Sequence, residues 1–216
     1  FGRGGKGTVS PQGYLLASEE RLFVSSNRAM PAVFDLDDGR FLFHRNFSWR
    51  EIGMFGGAFS VLSSGLLFNA IEQVVAVHED SGRIAFTEGL GASNPSQGAR
   101  RLVAAPETIY VVTGTEAVAA HREPWSTEKT LGDLKVRLKR LRERVGSNPQ
   151  LEQYIPPLEK QIADLAEKRK KMGPAIQWKV PLRANDALVL TPGTLFVGGD
   201  GTVAGRGTGE CDARRA

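Results

Sequence analysis

Four segments of the chain repeat one pattern of apolar runs and polar breaks. In each segment an apolar run and a polar break precede a second run, which opens with Leu or Ile followed by an aromatic residue. These pairs are Leu22-Phe23, Leu67-Phe68, Ile109-Tyr110 and Leu195-Phe196. They are separated by 45, 42 and 86 residues, and the last spacing equals two periods of 43. Self-similarity at a fixed period of this length is typical of repeat folds.

A third apolar run follows in each segment, and a glycine-containing turn then leads toward a fourth run that ends in an aromatic residue. Asp38-Gly39 and Ser81-Gly82 place glycine where a hairpin turn needs a positive φ. Four short strands per ~43 residues indicate a β-propeller blade. We therefore expect an all-β fold of about four four-stranded blades. The ragged start and the loss of the pattern in the fourth repeat favour blades of a larger ring.

From Ser126 the spacing of apolar residues changes to that of a helix. Spacings of three and four alternate along two stretches, which are Leu131, Leu134, Leu138, Leu141 and Val145, and then Leu151, Ile155, Leu158, Ile162 and Leu165. This stripe predicts an antiparallel helical hairpin of the coiled-coil type, and Pro156-Pro157 should kink or restart its second helix. The predicted division is β-propeller at 1–125, the inserted hairpin at 126–173 and further propeller at 174–216.

Charge also separates the insert from the rest of the chain. Residues 126–172 carry 12 Lys and Arg against 7 Asp and Glu, whereas the remainder carries 16 against 17. The net charge of +4 is therefore local, which argues against a nucleic-acid-binding body. The basic face of the insert (Arg137, Arg140, Arg144 and residues 168–171) fits a solvated helix, or contact with acidic lipid, nucleic acid or a protein partner. No apolar run reaches the ~18 residues that a transmembrane helix needs.

The turn after the third run carries a motif that resembles a known family. The stretch from Ala76 through Gly82 to Phe86 is similar to the blade-docking motif of pyrroloquinoline-quinone-type, or quinoprotein-like, propellers. The first repeat matches through Gly39 and Phe43, and the third through Ala119 and, beyond the insert, Trp178. The resemblance implies a propeller whose neighbouring blades interlock through these seven residues, which are Gly39, Phe43, Ala76, Gly82, Phe86, Ala119 and Trp178.

The resemblance implies two functions of different kinds. One is a non-catalytic binding or assembly scaffold within a larger periplasmic or otherwise exported protein, with protein partners at the propeller face or the hairpin. The alternative is a fragment of an alcohol or sugar dehydrogenase that uses pyrroloquinoline quinone and Ca²⁺. Enzymes of that kind commonly carry an adjacent cysteine pair, and this chain has the single Cys211. We expect a scaffold without a cofactor in this chain. Export rests on the resemblance alone, because no signal peptide opens the sequence.

Two further patterns suggest chemistry and also have structural explanations. Asp35, His78 and His121 hold the same place in successive repeats, and could form a metal or cofactor site or bond to their own turns. We expect the second arrangement. The stretch 199–204 fits a dinucleotide-binding pattern, but such a pattern needs a helix directly after it. We expect a β-hairpin turn there, and no catalytic or metal-binding residue can be named.

Overall fold

The computed structural model describes residues 11–26, 31–44, 60–71, 73–90, 98–182, 186–199 and 201–208. Strands from consecutive parts of the chain pair into four sheets. The first has β1 (Pro11–Ala17), β2 (Arg21–Ser26), β3 (Ala32–Asp35) and β4 (Phe41–Phe43), and the second has β5 (Ser60–Ser63), β6 (Leu66–Ile71), β7 (Gln73–His78) and β8 (Ile84–Glu88). The third has β9 (Ala99–Ala104), β10 (Thr108–Thr113), β11 (Glu116–His121) and β12 (Ile176–Pro181), and the fourth has β13 (Ala187–Leu190), β14 (Thr194–Gly199) and β15 (Thr202–Gly207).

All neighbouring strands are antiparallel and follow one another in sequence order. The mostly β architecture is thus confirmed. The expectation of four four-stranded units is met by three sheets, whereas the fourth has three strands among the described residues. Within those same residues no closed ring of sheets is shown.

The Leu-aromatic pairs fall at the second and third positions of the second strand in every sheet. Since successive side chains of a strand point to opposite faces, the two members of a pair face different ways. Leu67 accordingly belongs to one apolar cluster and Phe68 to another. The core therefore consists of layers between successive sheets, and the sequence repeat is a structural repeat.

Two helices follow the third strand of the third sheet. Helix α1 spans Arg122–Val145, a 3₁₀ helix spans Pro149–Tyr154 and helix α2 spans Ile155–Lys171. Helix α1 begins at Arg122 rather than at the predicted Ser126, and the stop predicted after Val145 is confirmed. Pro156 lies in the first turn of α2, where its missing N–H has no helical partner to lose, so the second helix restarts there.

The predicted coiled-coil stripe is only partly buried. Leu131 and Leu158 are buried, whereas Leu134, Leu138 and Leu141 are half-buried. The reason is that the first part of α1 packs on β8 of the second sheet as well as on α2. The coiled-coil interpretation is therefore not supported, because the apolar stripe divides between two surfaces.

Candidate functional site: the docking faces of the sheets

A row of three side chains crosses the second sheet at the predicted docking motif. Phe68 on β6 lies opposite Ala76 on β7, and Ala76 lies opposite Phe86 on β8. All three are buried, and the two ring centroids are 6.2 Å apart. The small methyl group of Ala76 leaves room for the flanking rings to approach over it, so the motif alanine sets the width of this aromatic row.

The third sheet repeats the aromatic row with Tyr110, Ala119 and Trp178. The ring centroids of Tyr110 and Trp178 are also 6.2 Å apart. The guanidinium carbon of Arg206, on β15 of the fourth sheet, lies 4.2 Å from the centroid of the Trp178 ring, within reach of a cation–π interaction. Burial raises the pKa of the Tyr110 phenol, and the row forms part of the contact between the third and fourth sheets.

The first sheet carries the same row with a larger central residue. Phe23 lies opposite Val33, and Val33 lies opposite Phe43. The motif glycines are in the tight turns beside the rows, where Gly39 has φ +71° and Gly82 has φ +61°. Only glycine adopts such angles without strain. The structure therefore brings the seven motif residues together within three sheets as rows and turns, at equivalent positions.

Each aromatic row packs against the next sheet along the chain. Phe23 shares an apolar cluster with Leu67 of the second sheet, and Phe68 shares one with Ile109 of the third. Tyr110 and Leu195 of the fourth sheet share another. The aromatic member of each pair thus faces forward along the chain, and the Leu or Ile member faces back.

The fourth sheet presents the same position to solvent. Phe196 is 40% exposed, although Phe23 and Phe68 are fully buried. Its cross-strand partner is Gly205, and a Cβ at that glycine would lie 3.4 Å from the Phe196 ring. Val189 and Val203 are exposed as well. An apolar forward face, made by Val189, Phe196 and Val203, is therefore left uncovered by the described residues.

At the other end of the series of sheets, the described residues also leave an apolar face of the first sheet uncovered. Leu15 and Phe41 are more than half exposed, and Phe41 packs edge-on against Phe34 at 5.6 Å. Phe34 lies opposite Leu22, the backward-facing member of the first pair. This backward face, made by Leu15, Leu22, Phe34 and Phe41, corresponds in place to surfaces that are buried in the second and third sheets.

The three residues considered for a metal or cofactor site make different contacts. The Asp35 carboxylate accepts hydrogen bonds from the Asp37 amide at 3.1 Å and from Arg40 at 3.3 Å, within its own turn as expected. His121 Nδ1 lies 3.2 Å from Thr108 Oγ1 on the adjacent strand, and His78 is exposed. No cluster of three or more potential metal ligands occurs within residues 11–26, 31–44, 60–71, 73–90, 98–182, 186–199 and 201–208.

Two of the three residues nevertheless meet at one cleft. His78 and His121 line a space of 970 Å³ between the turns of the second and third sheets and the start of α1. Arg122 also lines it and donates to the Ser63 carbonyl at 3.2 Å. The pKa of Arg122 lies below its ordinary value because burial lowers it more than the nearby Glu107 carboxylate raises it. The helical insertion after His121 supplies one side of this cleft, so that both histidines line it.

A contact that the sequence did not predict joins the helices to the sheets. Trp125, in the first turn of α1, is buried, and its ring lies 5.6 Å from that of Phe86. Trp125 precedes the periodic stripe and therefore gave no helical signal. An aromatic residue four positions after the end of the strand was the available clue.

The stretch 199–204 forms the predicted β-hairpin. Strand β14 ends at Gly199, β15 begins at Thr202, and Gly201 has φ +72°. Neither helix of the described segments has the length and apolar character needed to cross a bilayer. No protein-family model and no curated protein matches this chain.

Proposed function

We propose that this chain is a non-catalytic assembly scaffold, built of consecutive β-propeller-like blades interrupted by a helical hairpin. The observation that carries the proposal is the aromatic position of the second strand. It is buried against the next sheet in Phe23, Phe68 and Tyr110 and exposed in Phe196. In three sheets this residue packs on the following sheet. The exposure of Phe196 is therefore best explained by a further sheet of the same kind that packs on it.

The two end faces have the chemistry of such a contact. Sheets that pack face to face bury apolar side chains on both sides, and burial of each large side chain contributes roughly 1.5–3 kcal/mol. The forward face offers Phe196 with Val189 and Val203, and the backward face offers Phe41 with Leu15. Because the two faces differ, their contact is head-to-tail, and it closes a ring or extends a stack according to the rotation between units.

The resemblance to quinoprotein-like propellers supports the same function. The seven motif residues build the rows and turns of three sheets, and none of them carries a side chain that titrates, so they offer no group for acid–base chemistry. An exported location within a larger protein belongs to this proposal, on the resemblance alone.

Association in solution tests the proposal. Sedimentation of the chain over a range of concentrations should show head-to-tail oligomers, and Phe196→Glu should abolish them because it buries a charge in the contact. Val136→Glu is the matched control, since Val136 is also exposed but lies on α1. A chain that stays monomeric at every concentration, or variants that behave alike, would overturn the docking of these faces.

A second measurement separates the scaffold from the dehydrogenase alternative. Pyrroloquinoline quinone is titrated into the protein in the presence of Ca²⁺, with thermal shift and dye-linked oxidation of alcohols and sugars as readouts. We expect neither a shift nor turnover. Stoichiometric quinone binding with a submicromolar Kd, or saturable dye reduction, would favour the enzyme.

A further inference from the structure

A large groove separates the helices from the second sheet. It has a volume of 1220 Å³, with the β7–β8 turn on one side, α1 on the other and residues of the 3₁₀ helix and α2 at its base. Small-molecule sites usually enclose about 300–1,000 Å³. The groove is thus large enough for a segment of polypeptide.

Positive charge lines the groove. Arg137, Arg140 and Arg144 follow one another on α1 at spacings that place them on one helical face, and Arg83 lies across from them on the turn of the second sheet. Asp80 is a lining carboxylate, whereas the other lining acid, Asp133, is already bound to Lys129. The groove therefore carries a surplus of guanidinium groups.

The three groove arginines of α1 lie beside helix cations that are paired with carboxylates. Within the described segments no carboxylate lies within ion-pair distance of Arg137, Arg140 or Arg144. Three cations outside the groove form ion pairs with carboxylates on the other helix. These pairs are Arg142–Glu159, Lys168–Glu123 and Arg169–Glu128. Three cations are thus neutralised between the helices, whereas the groove gathers three unpaired arginines of α1 on one concave surface.

Apolar groups lie among the arginines. Val136 is 50% exposed and Tyr154 is 56% exposed, and both line the groove together with the half-buried Leu134 and Leu141. Alternation of guanidinium and apolar groups within a concave surface is suited to a ligand that carries both carboxylates and apolar side chains. A flat lipid surface would touch only the rim of such a groove, and a nucleic acid would leave its apolar part unused.

We propose that this groove binds an acidic peptide segment whose carboxylates pair with Arg83, Arg137, Arg140 and Arg144 while its apolar side chains pack against Val136 and Tyr154. This inference does not depend on the end faces of the sheets, because the groove lies between the helices and the second sheet.

Fluorescence anisotropy tests the proposal with the full chain. The probe is a fluorescein-labelled peptide of repeated Glu-Glu-Leu units, and a second peptide has Gln in place of every Glu. We expect binding of the first and none of the second. The variant with Arg137→Gln, Arg140→Gln and Arg144→Gln should lose affinity by about tenfold or more, as the sum of three surface ion pairs.

A matched variant controls for net charge. Lys135→Gln, Lys139→Gln and Lys160→Gln remove the same charge from exposed positions that do not line the groove, and should change affinity by less than about twofold. Arg83→Gln, on the sheet side, should weaken binding without touching the helices, and circular dichroism checks the fold of each variant. Equal losses in the two triple variants, or no binding of the acidic peptide, would overturn the proposal. If anionic vesicles or single-stranded DNA bind as tightly and depend on the same arginines, the proposal of a peptide ligand is wrong and the groove binds that ligand instead.

Discussion

The second and third sheets have the same strand register but very different connections between their last two strands. In the second sheet the His78 amide donates to the Arg83 carbonyl, and residues 79–82 make the turn. In the third, the His121 amide donates to the Ala175 carbonyl, and residues 122–174 with both helices lie between them. The rows Phe68–Ala76–Phe86 and Tyr110–Ala119–Trp178 nevertheless coincide.

The comparison shows that packing between sheets, rather than the turn, fixes the register. The entropy cost of closing a loop rises only slowly with its length, so a long insertion at a turn is tolerated where the flanking strands are well packed. The insertion also brings its own anchor, because Trp125 covers Phe86 of the neighbouring sheet. The helices are thus tied to the second sheet while they interrupt the third.

The largest effect on stability is expected when the last aromatic residue of each row is replaced by alanine. Phe86→Ala should lower the free energy of unfolding by about 3–5 kcal/mol, because Phe86 is 1% exposed and contacts the rings of Phe68 and Trp125. Trp178→Ala should cost less, since Trp178 is half-buried. Urea unfolding followed by circular dichroism measures both. Equal losses would mean that the two rows are not energetically distinguishable.

A shortened chain tests whether the sheets fold without the helices. In it, the Glu-Asp-Ser-Gly turn of the second sheet replaces residues 122–174. We expect the β-type circular dichroism to remain, the helical signal to disappear and the stability to fall by about 3 kcal/mol, because Phe86 loses its cover. Trp125→Ala in the intact chain is the matched variant and should cause a similar loss. Unfolding of all sheets in the replaced chain would show that the helices are part of the core.

The sequence predicted much of this architecture from the Leu-aromatic pairs. Their period predicted four units, and four sheets are found. Ala76 and Phe86 were expected to interlock blades, whereas the row that they form with Phe68 across the second sheet was not predicted. The sequence did not predict which surface would cover the leucine stripe, because a periodic stripe specifies an apolar face and not its partner. The sequence also did not reveal the groove, which depends on how α1 is placed against β8.

Glycine substitutions probe the turns themselves at a smaller energy. Gly82→Ala should destabilise by about 1–2 kcal/mol, because φ at this position is +61° and a side chain is strained there. Gly173, at the end of the insertion in the third sheet, has no positive φ and nothing within 4 Å of a new Cβ. Gly173→Ala should therefore leave the urea midpoint nearly unchanged. A loss at Gly173 as large as that at Gly82 would contradict a conformational requirement confined to the short turn.

The smallest expected effect comes from the Tyr110 hydroxyl, a polar atom that the second sheet lacks at the equivalent Phe68. Burial raises the pKa of Tyr110 in the folded chain, so the neutral phenol is retained in the fold at a pH where the unfolded chain ionises. The contribution to stability is complete below the ordinary tyrosine pKa of about 10 and is lost as pH rises above it. Tyr110→Phe should therefore match the parent at neutral pH and exceed it in urea midpoint at about pH 11. Tyr154→Phe, on an exposed ring, is the control and should follow the parent at both pH values. An equal alkaline loss in Tyr110→Phe and the parent would show that ionisation of the buried phenol does not limit the stability of the third sheet.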